Sequence, residues 1–347
     1  MAANILGRRP GHGAARPRRP ATVERGGAMD QRETRYRDDD VVYAGVEGEN
    51  LVVESANPVN HHQAMNDIGS APTIGIDAKL FVPEHDEPLP TVVIVPGSLG
   101  VGPNHEAHAE VLVEQGFAVC VVDPFAARAV ASTVADQTLY SFAASAYDVL
   151  ATLRLLAQRP ELDPDRIAAQ GHSRGGSAVT IAACRRFADA VVGPDLALSA
   201  VYAVYPWCGQ QFVDPSIGST RYRAIIGERD EWCSVQEVQA QAQAMRLSGG
   251  EATVRVVADA HHSFDREEPV HSIDDAIVAP PAPTVGLADD GAMIDPRTGV
   301  PNPDATDLDL FLVAGAGGHA RTGASIGGTD GQPALFRDDM VAFHTGS

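Results

Sequence analysis

At 347 residues and 44% hydrophobic, the chain is long enough for one large α/β domain with appendages, or for two small ones. Its formal net charge of −20 argues against a nucleic-acid footprint and against docking on anionic membranes. Its four cysteines show neither C-x-x-C spacing nor disulfide-framework density, and no apolar run approaches membrane-spanning length, so a cytoplasmic protein is expected.

Residues 1–40 are rich in Arg, Gly, Pro and Ala and predict a disordered basic tail, because such a segment cannot bury enough apolar surface to offset its ordering entropy. Arg8-Arg9 and Arg18-Arg19 are followed by no apolar stretch, so neither a Sec nor a twin-arginine signal is indicated, and Met29 is an alternative start. Strand-like pieces follow at 50–54 and 73–82, separated by a polar, turn-like stretch at 57–70. The β-branched run 91–95 reads as a strand buried on both faces, and 105–115 as a helix stopped by Gly116. His105 and His108 lie three apart on that helix, a spacing a metal could use. With no carboxylate or cysteine set beside them in the sequence, a solvated helix face is expected and no metal site. A strand at 117–122 and a long helix at 137–158 come next, the latter stopped by Pro160 and Asp163-Pro164.

Ile167–169 is a short apolar strand, Gly171-His172-Ser173-Arg174-Gly175 fits G-x-S-x-G, and 176–185 reads as a helix. That is the strand–turn–helix setting a nucleophile elbow requires, with small residues where strand and helix approach. Further strands are expected at 198–205, 222–226 and 252–257, with a helix at 233–247. Strands alternating with helices imply a mostly parallel sheet covered on both faces. Residues 266–332 break this rhythm with many Gly, Pro and Asp residues and read as an insertion or lid, before a final helix at 333–344 within a C-terminal segment 333–347.

In such sheets, ligands bind beyond the carboxyl ends of the strands. Ser173 follows one strand, Glu228, Asp230 and Glu231 follow the next but one, and His261 and His262 follow the last. The order Ser, acid, His is that of the α/β-hydrolase fold. A serine hydroxyl needs a neutral imidazole to take its proton and a carboxylate to orient that imidazole. Spacing alone leaves the acid and the histidine open.

From Val41 to about Arg266 the chain resembles the dienelactone hydrolase family, most closely its serine-nucleophile members. The resemblance rests on Val92-Val93-Ile94-Val95-Pro96-Gly97-Ser98-Leu99-Gly100, Asp163-Pro164-Asp165-Arg166-Ile167, Gly171-His172-Ser173-Arg174-Gly175-Gly176, Gly227-Glu228-Arg229-Asp230 and His262-Ser263-Phe264-Asp265. It implies a catalytic domain at 41–265, Asp230 as the acid and His262 as the base. It also implies an oxyanion hole from the backbone N–H groups of Ser98 and Arg174. The family's cysteine members carry a Glu where this chain has Gly97, so a cysteine-type activation is not expected. Two family arginines that hold a substrate carboxylate match Arg128 and Arg266.

Trp207 and Trp232, with Phe125 and Phe264, lie past strand ends and either line an acyl pocket or cap the core. Cys208 and Cys233 follow neighbouring strands, but a disulfide is not favoured in a reducing cytosol. The expectation is therefore a cofactor-free serine hydrolase of a small carboxylic ester or lactone. A prolyl-oligopeptidase-like peptidase would need a propeller for which the chain has no room. A silent hydrolase fold used for binding would have no reason to keep nucleophile, acid, base and oxyanion loop together. The sequence carries no sign of its oligomeric state.

Overall fold

The β-branched run 91–95 lies at the centre of an eight-stranded sheet in the computed structural model, which describes residues 36–38 and 40–346. The strands are β1 (Glu49–Ala56), β2 (Thr73–Phe81), β3 (Leu89–Val95), β4 (Ala118–Asp123), β5 (Leu162–His172), β6 (Ala200–Val204), β7 (Arg221–Gly227) and β8 (Ala252–Val257). They lie in the spatial order β1-β2-β4-β3-β5-β6-β7-β8. β2 is antiparallel to β1 and β4, and every other neighbouring pair is parallel. The strand order changes direction at β3, so the loops after β3 and β5 part there and leave a crevice at their carboxyl ends. This is the α/β-hydrolase fold.

The helices are α1 (His61–Asn66), α2 (Pro103–Glu114), α3 (Phe142–Leu156), α4 (Arg174–Ala183), α5 (Arg185–Val192), α6 (Val235–Leu247), α7 (Asp307–Ala316) and α8 (Gln332–Thr345). Side-chain alternation along β5 decides which of them cover which face. A Cβ on Gly171 would stand 2.1 Å from the Gly175 carbonyl, so that side is taken by α4. Gln170 and His172 point the other way, to His344 of α8 at 3.1 Å and His108 of α2 at 3.2 Å. α3 is apolar almost all round and is buried over nearly its whole length, as such a helix must be.

Several expectations need correction. Most of the 1–40 tail lies outside the described residues, as does Met29, but Tyr36 is buried and its hydroxyl lies 3.3 Å from that of Tyr43. The stretch 57–70 contains α1, held by the Asn60 side chain accepting from the Gln63 N–H at 2.8 Å. Residues 266–332 are built rather than structureless. They form β9 (His271–Val278) paired antiparallel with β10 (Arg321–Ile326), a short strand Val285–Leu287 lying parallel to Gln210–Phe212, and α7. The alternation that would have marked β9 is interrupted by a register shift between Ile273 and Ile277. All four cysteines are buried and free. Among the described residues no helix is long and apolar enough to cross a membrane.

His105 and His108 are the other correction: both are buried, against His172 and Phe336, rather than solvated. Burial holds His61, His172 and His344 down to about 3, His108 to about 4, and His105 well below the usual imidazole range. As pH falls through about 6.5 the unfolded chain therefore takes up as many as five protons that the folded chain refuses, and stability should fall as pH drops from about 7 towards 4. Glu237, raised to about 7 by burial, acts in the opposite direction over this window, but with one proton. Asp148 and Asp307, also raised by burial, oppose the loss at its acid end. Urea unfolding midpoints should drop clearly between about pH 7 and pH 5. An unchanged midpoint would mean that these imidazoles are not buried neutral.

Candidate active site

Ser173 follows β5 and caps α4 with φ 53° and ψ −113°, a conformation that a non-glycine residue adopts only under constraint. The glycines around it are dictated by contact. Besides Gly171, a Cβ on Gly175 would meet the Val95 carbonyl at 2.3 Å, and one on Gly176 the Val204 carbonyl at 2.9 Å. The Ser173 N–H bonds to Val204 O at 2.8 Å, which ties the turn to β6 and leaves the hydroxyl at the end of the sheet. Arg174 opens α4, so its N–H has no carbonyl of its own helix to bond and points outward at the positive end of the helix.

The loops after β7 and β8 meet because Gly227 permits it: a Cβ there would lie 2.3 Å from the Ala260 carbonyl. The Asp230 side chain is fully buried, and its Oδ1 accepts the N–H groups of Trp232 at 2.8 Å and Cys233 at 2.9 Å. Its Oδ2 lies 2.7 Å from His262 Nδ1, and His262 Nε2 lies 2.9 Å from Ser173 Oγ. A carboxylate only accepts, so the pattern is satisfied with the proton on Nδ1 and Nε2 free to accept from Ser173. The competing acids are engaged elsewhere: Glu228 accepts the Asp259 N–H at 3.1 Å and Glu231 the Ser325 N–H at 2.8 Å. His261 bonds neither Ser173 nor Asp230, and its Nδ1 has no partner among the described residues.

What positions His262 was not visible in the sequence. Its ring stacks on Trp232 at 5.3 Å and leans on Tyr205 at 4.5 Å. The next residue, Ser263, has φ 56°, and Tyr205 itself has φ 36°, so strained backbone gathers around the site. Asp265 anchors the strained loop from beneath, accepting from Tyr205 Oη at 2.8 Å and Asn104 Nδ2 at 2.8 Å, with His108 Nε2 3.7 Å away. Asp265 was legible only as the last letter of H-x-F-D, and nothing local marked Tyr205 or Asn104 as its partners.

Ser98 follows β3, and Gly97 before it passes so close that a Cβ would stand 3.2 Å from Ser173 Cβ. No larger side chain fits there without a shift, the Glu of the cysteine members included. Gln137 spans the mouth of the site: its Nε2 donates to Ser98 Oγ at 3.2 Å, and its Oε1 accepts from Arg174 Nη1 at 3.1 Å. The Arg174 guanidinium is buried between the rings of Tyr140 and Phe142, at 4.3 and 4.1 Å. Gln137 lies in a loop without any motif, and sequence reasoning missed it.

A profile of the dienelactone hydrolase family matches residues 76–279, more than half of the chain. The chain belongs to the dienelactone hydrolase family. Among solved structures it is similar to a dienelactone hydrolase-like promiscuous phosphotriesterase from metagenomic libraries, at 17% identity over 63% of this chain and 86% of that one, with a TM-score of 0.44. It is also similar to an esterase of Thermogutta terrifontis phosphorylated by paraoxon, at 15% identity over 62% and 84% with a TM-score of 0.46. A third is a thermophilic carboxylesterase cloned from a metagenomic library, at 19% identity over 62% and 81% with a TM-score of 0.41. No curated protein matches the chain.

Two recesses open from Ser173 in this family member. The larger is apolar, walled by Phe142, Trp207, Ile277, Leu310, Phe311 and Ala314, with Trp232 beside the serine. Residues 266–332 thus supply one wall of it, through β9 and α7. The smaller is lined by Asn104, His105, His262 and Arg266, together with Leu99, Val134 and Ile326. Trp207 and Trp232 both line the site, whereas Phe125 and Phe264 are buried in the core.

Arg128 departs from the substrate-binding role expected for it. It lines neither recess and forms a bidentate pair with buried Asp148, at 2.8 and 3.0 Å, while its Nε donates to Asn57 at 2.7 Å. The reason is Asp148, which sits within α3 beneath β1 and needs a partner there. Arg266 does reach the smaller recess, where its Nη1 bonds Glu268 at 3.0 Å and its buried Nε has no partner among the described residues. Arg128→Ala should therefore cost about 3–5 kcal/mol of stability, read from the denaturant midpoint, because it strands a buried charge. A stable variant with an altered preference between carboxylate-bearing and neutral esters would contradict this placement.

Proposed function

We propose that the protein is a serine esterase that cleaves carboxylic esters, lactones included, through an acyl-enzyme on Ser173. The observation that carries this reading is the continuous run from Ser173 Oγ to His262 Nε2 at 2.9 Å and from His262 Nδ1 to Asp230 at 2.7 Å, with the serine held in a strained elbow. In the proposed reaction, Ser173 Oγ attacks the carbonyl carbon and its proton passes to His262 Nε2. Asp230 stabilises the resulting imidazolium, and the N–H groups of Ser98 and Arg174 bind the oxyanion. His262 then gives the proton to the leaving alkoxide, and water, activated by the same imidazole, releases the acid and restores Ser173.

The leaving oxygen must face His262, so the alcohol portion belongs to the smaller recess that His262 lines, and the acyl portion to the larger one. Burying an added methylene there contributes roughly 0.8 kcal/mol. In a series of p-nitrophenyl esters, kcat/KM should therefore rise by about fourfold per methylene from acetate upward until the cleft is filled. Neutral acyl groups should outperform carboxylate-bearing ones of the same size, since Arg128 is taken up by Asp148, Arg174 at the cleft is held by Ser145, Gln137 and the Tyr140 carbonyl, and Glu237 adds a carboxyl to the wall. A flat chain-length profile, or preference for the anionic acyl group, would overturn the assignment of the recesses.

A further inference from the structure

One wall residue of the apolar cleft is a carboxylate. Glu237 lies in the first turn of α6, three residues after the N-cap Ser234, whose hydroxyl accepts the Glu237 N–H at 3.3 Å. A glutamate at this position of a Ser-x-x-Glu start ordinarily turns back to bond the N–H of the cap. Here it turns away into the cleft. Its Oε1 accepts the Thr284 hydroxyl at 3.1 Å, and its Oε2 is buried with no partner among the described residues. Of the cleft's other walls, Trp207, Trp232, Pro283 and Ile277 are largely apolar and Cys233 offers at most a weak thiol donor, and burial has pushed the carboxyl up to about 7. A buried acceptor left unmatched is unfavourable, and binding pockets that are otherwise apolar use a few such groups to orient a ligand.

We infer that Glu237 is a specificity residue that selects acyl groups with an apolar stem and a hydrogen-bond donor at its end, a hydroxyl or an ammonium, which Oε2 accepts. The inference rests on the acyl-enzyme reading, with the acyl portion in this cleft. A site built to bond a donor discriminates strongly against the analogue that lacks it, because the acceptor is then desolvated without compensation.

The test compares the ω-hydroxy, ω-amino and methyl-terminated members of a length-matched series of medium-chain p-nitrophenyl esters. The wild-type protein should favour a donor-terminated ester over the methyl-terminated one by tenfold or more in kcat/KM. Preference for the amine over the alcohol identifies a cationic acyl group, and the reverse order a neutral one. Glu237→Leu should invert the ratio in favour of the methyl terminus. Glu237→Gln, close to isosteric, should keep a hydroxyl preference and lose any preference for the ammonium. A wild-type ratio near one, or the same ratio in Glu237→Leu, would overturn the inference while leaving ester hydrolysis at Ser173 in place. If no ester is turned over and Ser173 takes up no phosphonate, the esterase reading falls and this inference falls with it.

Discussion

Ser173→Ala should lower ester turnover by about four to six orders of magnitude, with the unfolding midpoint held close to wild type. The size of the loss follows from losing the nucleophile while the oxyanion donors and cleft remain, since those alone retain only a small part of the acceleration. The fold should survive because the change removes one hydroxyl, whose partner His262 keeps its bond to Asp230 at 2.7 Å. The elbow's φ of 53° is as strained for alanine as for serine, so backbone strain does not change with the substitution. Turnover within tenfold of wild type in a folded Ser173→Ala protein would mean that another group performs the attack.

The second large effect separates two adjacent histidines. His262→Ala should cost several orders of magnitude in kcat, and His261→Ala less than about tenfold, because one imidazole alone lies between Ser173 and Asp230. Asp230→Asn should fall near the same loss, on the order of 10⁴, since an amide donating to Nδ1 would force the wrong tautomer. If His261→Ala proved the more damaging, the register of the loop after β8 would be wrong by one residue. The pattern also predicts that Asp265→Ala lowers activity without touching the reacting atoms. Asp265 holds the Ser263 turn through Tyr205 and Asn104, and losing it frees His262 to drift from Ser173.

The sheet and the meeting of Ser173, His262 and Asp230 were legible because their signals are local. A β-branched run such as 91–95, bounded by Pro96-Gly97, favours a doubly buried strand, and the glycines at 171, 175 and 176 are demanded by backbone approaches of 2.1 to 2.9 Å. Strand ends then place Ser173, Asp230 and His262 in one crevice whatever the detail of the loops. What was not legible depends on contacts between distant segments. His105 and His108 look solvated on the helix α2 because their cover, Phe336 and Asp265, lies far along the chain. Arg128 reads as a loop arginine because Asp148, its partner, belongs to an otherwise apolar helix. The wall formed by residues 266–332 is hidden for a similar reason: β9 pairs with a strand over 40 residues on, and a bulge breaks its alternation.

The most direct measurement of the central claim is the mass of the intact protein, and then of its peptides, after reaction with a fluorophosphonate. A serine activated by His262 and Asp230 is expected to take up one equivalent of phosphonate on the peptide that carries Ser173, and Asp230→Asn or His262→Ala to slow that uptake by orders of magnitude. Adduct on a different residue, or none on Ser173 while esters are still hydrolysed, would contradict the account.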